Sequence, residues 1–369
     1  MSPSLRFPEF TGEWEECVLG DYGKVVTGNT PPTKDIENYE NGTYLWASPA
    51  DLGTHKLISE TKTKLSSKGF TKTRPLSKGS VLVTCIGSTI GKTGMATREM
   101  STNQQINSIV VNENNDNEFV YYVVQSAFPH YLSSIAVQAV PIISKSSFEL
   151  LPSKRPSLQE QNKIGKFLSL LDERISTQHR LIDRLQSLMK GIRHRIINEA
   201  KGKIVCLCEV SDIYQPQTIS SADLTETGYP VYGANGIIGH YTSYNHEAEQ
   251  VCITCRGNTC GGVNYTKSKS WITGNAMVVN VDRYQNIVSK RYLYHYLSNC
   301  DFNSIISGSG QPQIVRAPLA KFKIILPTVM QQYKIAHCLD VIQNKINVNS
   351  NILNLLIRQK QYLLRKMFI

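Results

Sequence analysis

Nowhere in this 369-residue chain does an uncharged apolar run approach the roughly eighteen residues that a membrane span needs. The first thirty residues carry Glu9, Glu13, Glu15 and Glu16 among prolines, so a secretory leader is not expected either. Nine cysteines, an odd number spread over the whole length, do not form a disulfide framework; reduced thiols in a cytoplasm are expected. The eight histidines are scattered, with no Glu or Asp at metal or general-base spacing. No Ser-His-Asp set, nuclease-type carboxylate cluster or acid pair can be assembled. The chain therefore reads as a recogniser and not as a catalyst, and no metal site is expected.

Three motifs tempt otherwise. "GSTIGKTG" at 87–94 suggests a phosphate loop through Lys92 and Thr93, but three residues stand between Gly87 and Gly91 where four are needed. Its sister "GNTCGG" lacks the lysine. Cys252, Cys255 and Cys260, with Cys206 and Cys208, suggest zinc. Yet Cys255 matches Cys85 in a repeated strand whose copy has no partner cysteines, so buried thiols are expected. "NTPPT" at 29–33 approaches the Asn-Pro-Pro-aromatic loop of amino-methyltransferases, but Thr30 intrudes and no aromatic follows.

What is present is repetition. "PSLQEQNKIGKFLSLLDERI" begins at Pro156, and "PTVMQQYKIAHCLDVIQNKI" begins 171 residues later at Pro327. Each opens with a capping-box pattern, Ser157 with Glu160 and Thr328 with Gln331. Apolar residues then recur in steps of four and three: Ile164, Leu168, Leu171 and Ile175 in the first copy, Ile335, Leu339, Ile342 and Ile346 in the second. A polar residue interrupts both series at the same point, Gln178 and Asn349. Beyond it run Ile182, Leu185, Met189, Ile192 and Ile196, and Leu353, Leu356, Lys360, Leu363 and Met367. A period of 3.5 held this long predicts two coiled-coil helices. The first is expected to stop at Gly202. An antiparallel pairing would set Gln178 against Asn349, and the connectivity favours it because a globular segment precedes each helix. Lys360, in a seam position, is expected to splay that end or meet a partner.

The globular segments repeat too. "VLVTCIGSTIG" at 81–91 aligns without gaps on "VCITCRGNTCG" at 251–261, and "SIVVN" at 108–112 resembles "AMVVN" at 276–280. Short strands and Gly, Asn and Ser turns predict mainly β domains, with helices at 117–132 and 288–300. The expected class is α+β: two mainly β domains with a few helices, separated by two long helices in an antiparallel coiled coil with pseudo-twofold symmetry. The expected boundaries are 1–150, 151–202, 203–327 and 328–369.

The formal net charge is +11, and its distribution is uneven. Residues 1–150 hold 13 basic and 15 acidic side chains, and residues 203–327 hold 10 and 8. The helical segments hold 11 against 5 (151–202) and 6 against 1 (328–369), and so carry the excess. Such a surface suits a polyanion, nucleic acid above all, or is simply a solvated helix face. The run Lys56–Lys78, with Lys62, Lys64, Lys68 and Lys72 against the single acid Glu60, is a candidate phosphate-contacting edge or a solvated loop. Base edges call for amides, hydroxyls and cations on short turns. The candidates are Ser88, Thr89, Lys92, Asn103, Gln104 and Gln105 in the first domain. In the second they are Arg256, Asn258, Thr259, Asn264, Lys267 and Asn275. Each serves equally as turn chemistry.

With "YPVYGANGIIGHY" at 229–241, "VCITCRGNTCGGVNY" at 251–265, "WITGNAMVV" at 271–279, the two Gln-rich helix openings and "LRFPEFTGEWEECVLGD" at the start, nearly the whole chain resembles the DNA-specificity subunits of type I restriction–modification systems. The resemblance implies two target-recognition domains, each reading one half of a split, asymmetric site in double-stranded DNA. It also implies helices that act as spacer and as dock for two methyltransferase subunits, with motor-nuclease restriction subunits joining outside. S-adenosylmethionine, Mg2+ and ATP then belong to the partners and none to this chain. Two rival readings stand beside it: the recognition half of a methyltransferase or nuclease with its own chemistry, and a purely structural coiled-coil adaptor. Methyl transfer by the isolated chain would support the first, and the absence of sequence-selective DNA binding at any salt concentration the second.

Overall fold

The computed structural model describes residues 3–134, 142–234, 236–308 and 310–368. The chain divides into two compact units, Met1–Gln178 with Ile352–Ile369, and His179–Asn351. Each unit is a strand-rich domain together with half of each long helix, Leu158–Glu199 and Val329–Met367.

The two domains share one topology. In the first, strand Val81–Thr84 lies between Ile106–Val111 and Thr93–Ala96 in a five-stranded sheet, with Gly23–Thr27 beyond the former. In the second, Val251–Thr254 lies between Ala276–Asn280 and Val263–Tyr265 in a four-stranded sheet, with Asp212–Tyr214 outside. All eight residues of the two central strands are buried, which explains their unbroken apolar runs. A second, three-stranded sheet recurs as well: Tyr44–Ala47 runs parallel to Ser101–Thr102, and Tyr229–Gly233 runs parallel to Trp271–Ile272. Strand pairing corrects one sequence match. Val81 faces Ile109 and Val251 faces Val279, so "SIVVN" and "AMVVN" are offset by two residues from true equivalence. An even slip keeps every side chain on its own face, which is why the resemblance survived it.

The helices pair antiparallel within each unit. In the first, Leu168 and Leu171 from the early turns of the first helix share a core with Leu356, Leu363 and Met367 from the late turns of the second. In the other unit, Leu185 and Met189 pack with Leu339 and Ile346, flanked by Ile192, Ile335 and Ile342. Ile164 is buried and Ile175 half-buried, as the seam requires. Asn349 Nδ2 donates to the Lys345 carbonyl one turn back (2.7 Å). Near the end of the first helix Ile197, not Ile196, is the buried residue.

Two expectations about the helix ends need correction. The first helix ends at Glu199, before Gly202. Gly202 is there for a close approach: a Cβ would stand 2.2 Å from the Leu326 carbonyl oxygen, beside the pairing of Lys203–Cys206 with Lys323–Leu326. Lys360 does not splay its end. Its ammonium sits 2.7 Å from the Asp172 carboxylate, with only 15% of the side chain exposed, and over the Tyr122 ring. Tyr122 in turn donates to Asp172 (2.6 Å).

The Gln repeated one residue after each capping position has a role of its own. Gln161 and Gln332 are buried, at 1% and 0% exposure. Gln161 Oε1 accepts the Asp116 N–H (3.1 Å), and its Nε2 donates to the Pro156 carbonyl (3.0 Å) and Asn115 Oδ1 (3.2 Å). Gln332 Oε1 accepts the Ser289 N–H (2.8 Å), and its Nε2 donates to the carbonyls of Pro327 (2.9 Å) and Ile287 (3.0 Å). Each amide thus latches a long helix onto the start of its domain helix, Asn117–Ser134 or Lys290–Leu297. The capping box itself forms fully only at Thr328–Gln331. In the first copy Glu160 turns to Arg6 (2.7 Å) and Trp14 Nε1 (3.3 Å). Gln332→Leu leaves a buried N–H and two carbonyls unpaired, and is expected to cost about 3–5 kcal/mol in urea unfolding. Gln331→Ala, which loses only a cap, should cost about 1 kcal/mol.

A polar cluster lies under the second domain helix. The His295 ring is fully buried, with Nε2 2.8 Å from Asp340 Oδ1, while Arg291 Nε reaches Asp340 Oδ2 at 3.0 Å. Burial pushes His295 down to about 4 in spite of Asp340, helped by the nearby Arg193 and Arg291 charges. The folded protein therefore holds this ring neutral while the unfolded chain protonates it near 6.5. Because the folded value is depressed, stability is full above pH 6.5 and falls as pH drops towards 4, by about 2–3 kcal/mol. Urea midpoints at pH 7 and pH 5 should show this fall, and His295→Gln should shrink it; an unchanged difference would count against the assignment.

Candidate nucleic-acid interface

The loops after the two central strands are built alike. Gly87 and Gly91, and Gly257 and Gly261, all have positive φ, between +83° and +95°, where other residues are strained. Thr84 N donates to the Lys92 carbonyl (2.9 Å), and Thr254 N to that of Gly262 (2.7 Å). Gly91 N closes on the Thr84 carbonyl (3.0 Å), and Gly261 N on that of Thr254 (2.9 Å). Cys85 N reaches the Gln105 carbonyl (2.8 Å), and Cys255 N that of Asn275 (3.0 Å). A strand, Thr93–Ala96, follows the first loop, so no helix N-terminus stands behind it for a phosphate to use.

This frame brings several sequence candidates together. Ser88 and Lys92 are exposed on the first loop with Thr89 half-buried, and the Cys85–Gln105 bond sets Gln104 and Gln105 beside them. Asn103 is buried at 7% exposure, donates to Gln105 Oε1 (3.0 Å) and accepts the Gln105 N–H (3.0 Å), so its side chain is turn chemistry. Arg256, Asn258, Thr259 and Asn275 are exposed around the second loop, with Thr259 Oγ1 donating to the Ala234 carbonyl (3.1 Å). Asn264 lies further along the strand opposite Cys252, and Lys267 lies beyond that strand, where its N–H donates to Tyr232 Oη (3.1 Å). These two do not join the loop cluster.

The lysine run is not a bare cationic edge. Lys64 pairs with Glu60 (2.6 Å), Lys68 with Glu37, and Lys72 with Asp35 (3.4 Å). The acids at 35–37 were missed because they lie about thirty residues upstream. Lys62 remains exposed, its backbone N–H held by Asp51 (2.8 Å). Sequence reasoning also missed Gln215, Gln313 and Arg316, which come from distant segments to line a hollow of about 190 Å³ with Arg256. Cys85, Cys252 and Cys255 are buried, and burial raises all three thiols, the first two to about 12. Cys206 and Cys260 are half-buried and Cys208 is exposed, against the expectation of buried thiols. No group of three or more His, Cys, Asp or Glu among the described residues could hold a metal. No helix among them is long and apolar enough to cross a membrane.

Two repeated strand-rich domains, each with its own glycine loop and each latched to the long helices by a buried glutamine, define a tandem α+β architecture. Residues 11–187 and 200–358 match the type I restriction modification DNA specificity domain, and the chain belongs to that family. It is similar to the Escherichia coli type I restriction enzyme EcoprrI specificity subunit, with 24% identity over 353 residues, 89% of this chain and 87% of that one. The Methanocaldococcus jannaschii MjaIX specificity subunit is 28% identical over 182 residues, 48% of this chain and 42% of the relative. The fold matches the crystal structure of a type I restriction–modification S subunit from M. genitalium with a TM-score of 0.71 at 17% identity, covering 100% and 99% of the two chains. The chain is thus a type I specificity subunit, the non-catalytic DNA-recognition component of such a system.

Proposed function

We propose that each strand-rich domain reads one half of a split, asymmetric site in double-stranded DNA, through the major groove, with the glycine loop and its neighbouring turn at the contact. The observation that carries this is one loop frame, bonded identically in both domains, presenting different side chains: Ser88, Thr89 and Lys92 in one, Arg256, Asn258 and Thr259 in the other. A fixed frame with variable side chains is what reading two unlike half-sites requires. The long helices are the docking surface for two methyltransferase subunits, with motor-nuclease restriction subunits outside them. Val341, Val348, Leu355 and Tyr362 support this, recurring in seven-residue steps with half or more of their surface exposed. A structural neighbour with a TM-score of 0.57 and 18% identity, covering 96% of this chain and 97% of its own, comes from work on complex assembly in a type I system. S-adenosylmethionine, Mg2+ and ATP are assigned to the partner subunits and the cytoplasm to the assembly. Methylome sequencing of cells carrying this chain with its methyltransferase tests the proposal. A motif in two parts around an unread spacer is expected; a continuous motif would overturn it.

A further inference from the structure

Resting on the DNA-reading function proposed above, we infer that one bridged residue pair sets base identity in each domain: Arg256 with Gln313 reads adjacent purines, guanine and adenine, and Ile86 with Ile142 packs on a thymine methyl. The two pairs occupy the same place in the fold. Ile86 bridges Ile142 antiparallel, and Arg256 bridges Gln313 antiparallel. The residue before each is a buried cysteine, Cys85 or Cys255, whose carbonyl accepts the N–H of Ile143 (2.8 Å) or Ile314 (3.0 Å). The residue after each is a glycine with positive φ, Gly87 or Gly257. Equal backbone thus carries opposite chemistry at a position next to the candidate reading loop.

The side chains are free to read. Arg256 and Gln313 are exposed, and among the described residues no carboxylate pairs with Arg256 or with Arg316 beside it. Of the four arginines in this domain, Arg291 is ion-paired and Arg283 stands exposed elsewhere, while Arg256 and Arg316 line this hollow together. Arginine matches guanine O6 and N7 in the major groove, and glutamine matches adenine N6 and N7. In the first domain Ile142 keeps 55% of its surface exposed, outside both core clusters of that unit. The apolar feature that a base pair offers in the major groove is the thymine methyl.

The test uses the chain in complex with its methyltransferase subunits, on its own target, with the second half-site assigned by exchange of residues 203–327. Single guanines in that half-site are replaced by 7-deazaguanine, and single thymines in the other by uracil. One deazaguanine position should weaken wild-type binding about 10- to 100-fold and leave Arg256→Ala unaffected. One uracil position should cost about fourfold, the worth of a buried methyl, and cost nothing with Ile142→Ala. Arg256→Lys guards against misfolding: it keeps the charge and the salt dependence but loses the rigid fork, so the preference at that one base should weaken without vanishing. Unchanged base preferences in Arg256→Ala, or a second half-site without guanine, overturn the inference. Loss of all sequence selectivity in the wild-type complex would instead overturn the DNA-reading function itself.

Discussion

Exchanging residues 203–327 for the equivalent domain of another family member is expected to change one half of the methylated sequence and leave the other half untouched. The fold supports a clean exchange at its neck. Lys203 pairs with Leu326 across a two-stranded ribbon, so both ends of the transplanted segment lie side by side. Gly202 must stay, because the Leu326 backbone leaves no room for a Cβ. One further residue matters. Asp340, on the long helix outside the exchanged segment, answers Arg291 and His295 inside it. A donor domain lacking the Arg291 cation and the His295 ring N–H would strand a half-buried carboxylate, at a cost of about 3–5 kcal/mol. The exchange should therefore carry the donor's residue at position 340. Sequencing of methylated sites reads the result directly, and a simultaneous change in both halves would defeat the two-reader model.

Some of this was legible in the sequence, and physical reasons separate what was from what was not. The helices were legible because a 3.5-residue apolar period sustained over some forty residues is the mark of a coiled-coil seam. The glycine loops were legible because positive φ leaves a residue-specific trace at Gly87, Gly91, Gly257 and Gly261. Interactions between distant segments left no such trace. Gln332 stood unread beside the cap residue Gln331, yet its partners include Ile287 and Ser289, more than forty residues away. Lys360 looked like a broken seam until Asp172 answered it. Gln313 lies more than fifty residues from Arg256 in the chain, and only the bridge to Arg256 moved it to the candidate site. The lysine run exaggerated the positive edge, because neutralising acids can come from anywhere in the chain.

The long helices are expected to act as a ruler between the half-sites. Residues 158–199 are one continuous helix, roughly 63 Å at 1.5 Å per residue. Deleting one heptad from each helix preserves the apolar period and should shorten the pair by about 10 Å, close to three base pairs. The sequence alone suggests Leu168–Arg174 with Leu339–Lys345, but the structure rules that choice out. Those segments contain Asp172, held by Tyr122 and Lys360, and Asp340, held by Arg291 and His295. Ile175–Leu181 with Ile346–Ile352 serves better: Ile182 then replaces Ile175, Leu353 replaces Ile346, and both polar clusters and both glutamine latches are kept. Site selection from a randomised DNA pool should return both half-sites unchanged, with a spacer about three base pairs shorter. Three base pairs also rotate the DNA by roughly a third of a turn, so affinity should fall, and spacer length is the quantity that decides. An unchanged spacer with binding retained would mean that the helices do not set the distance.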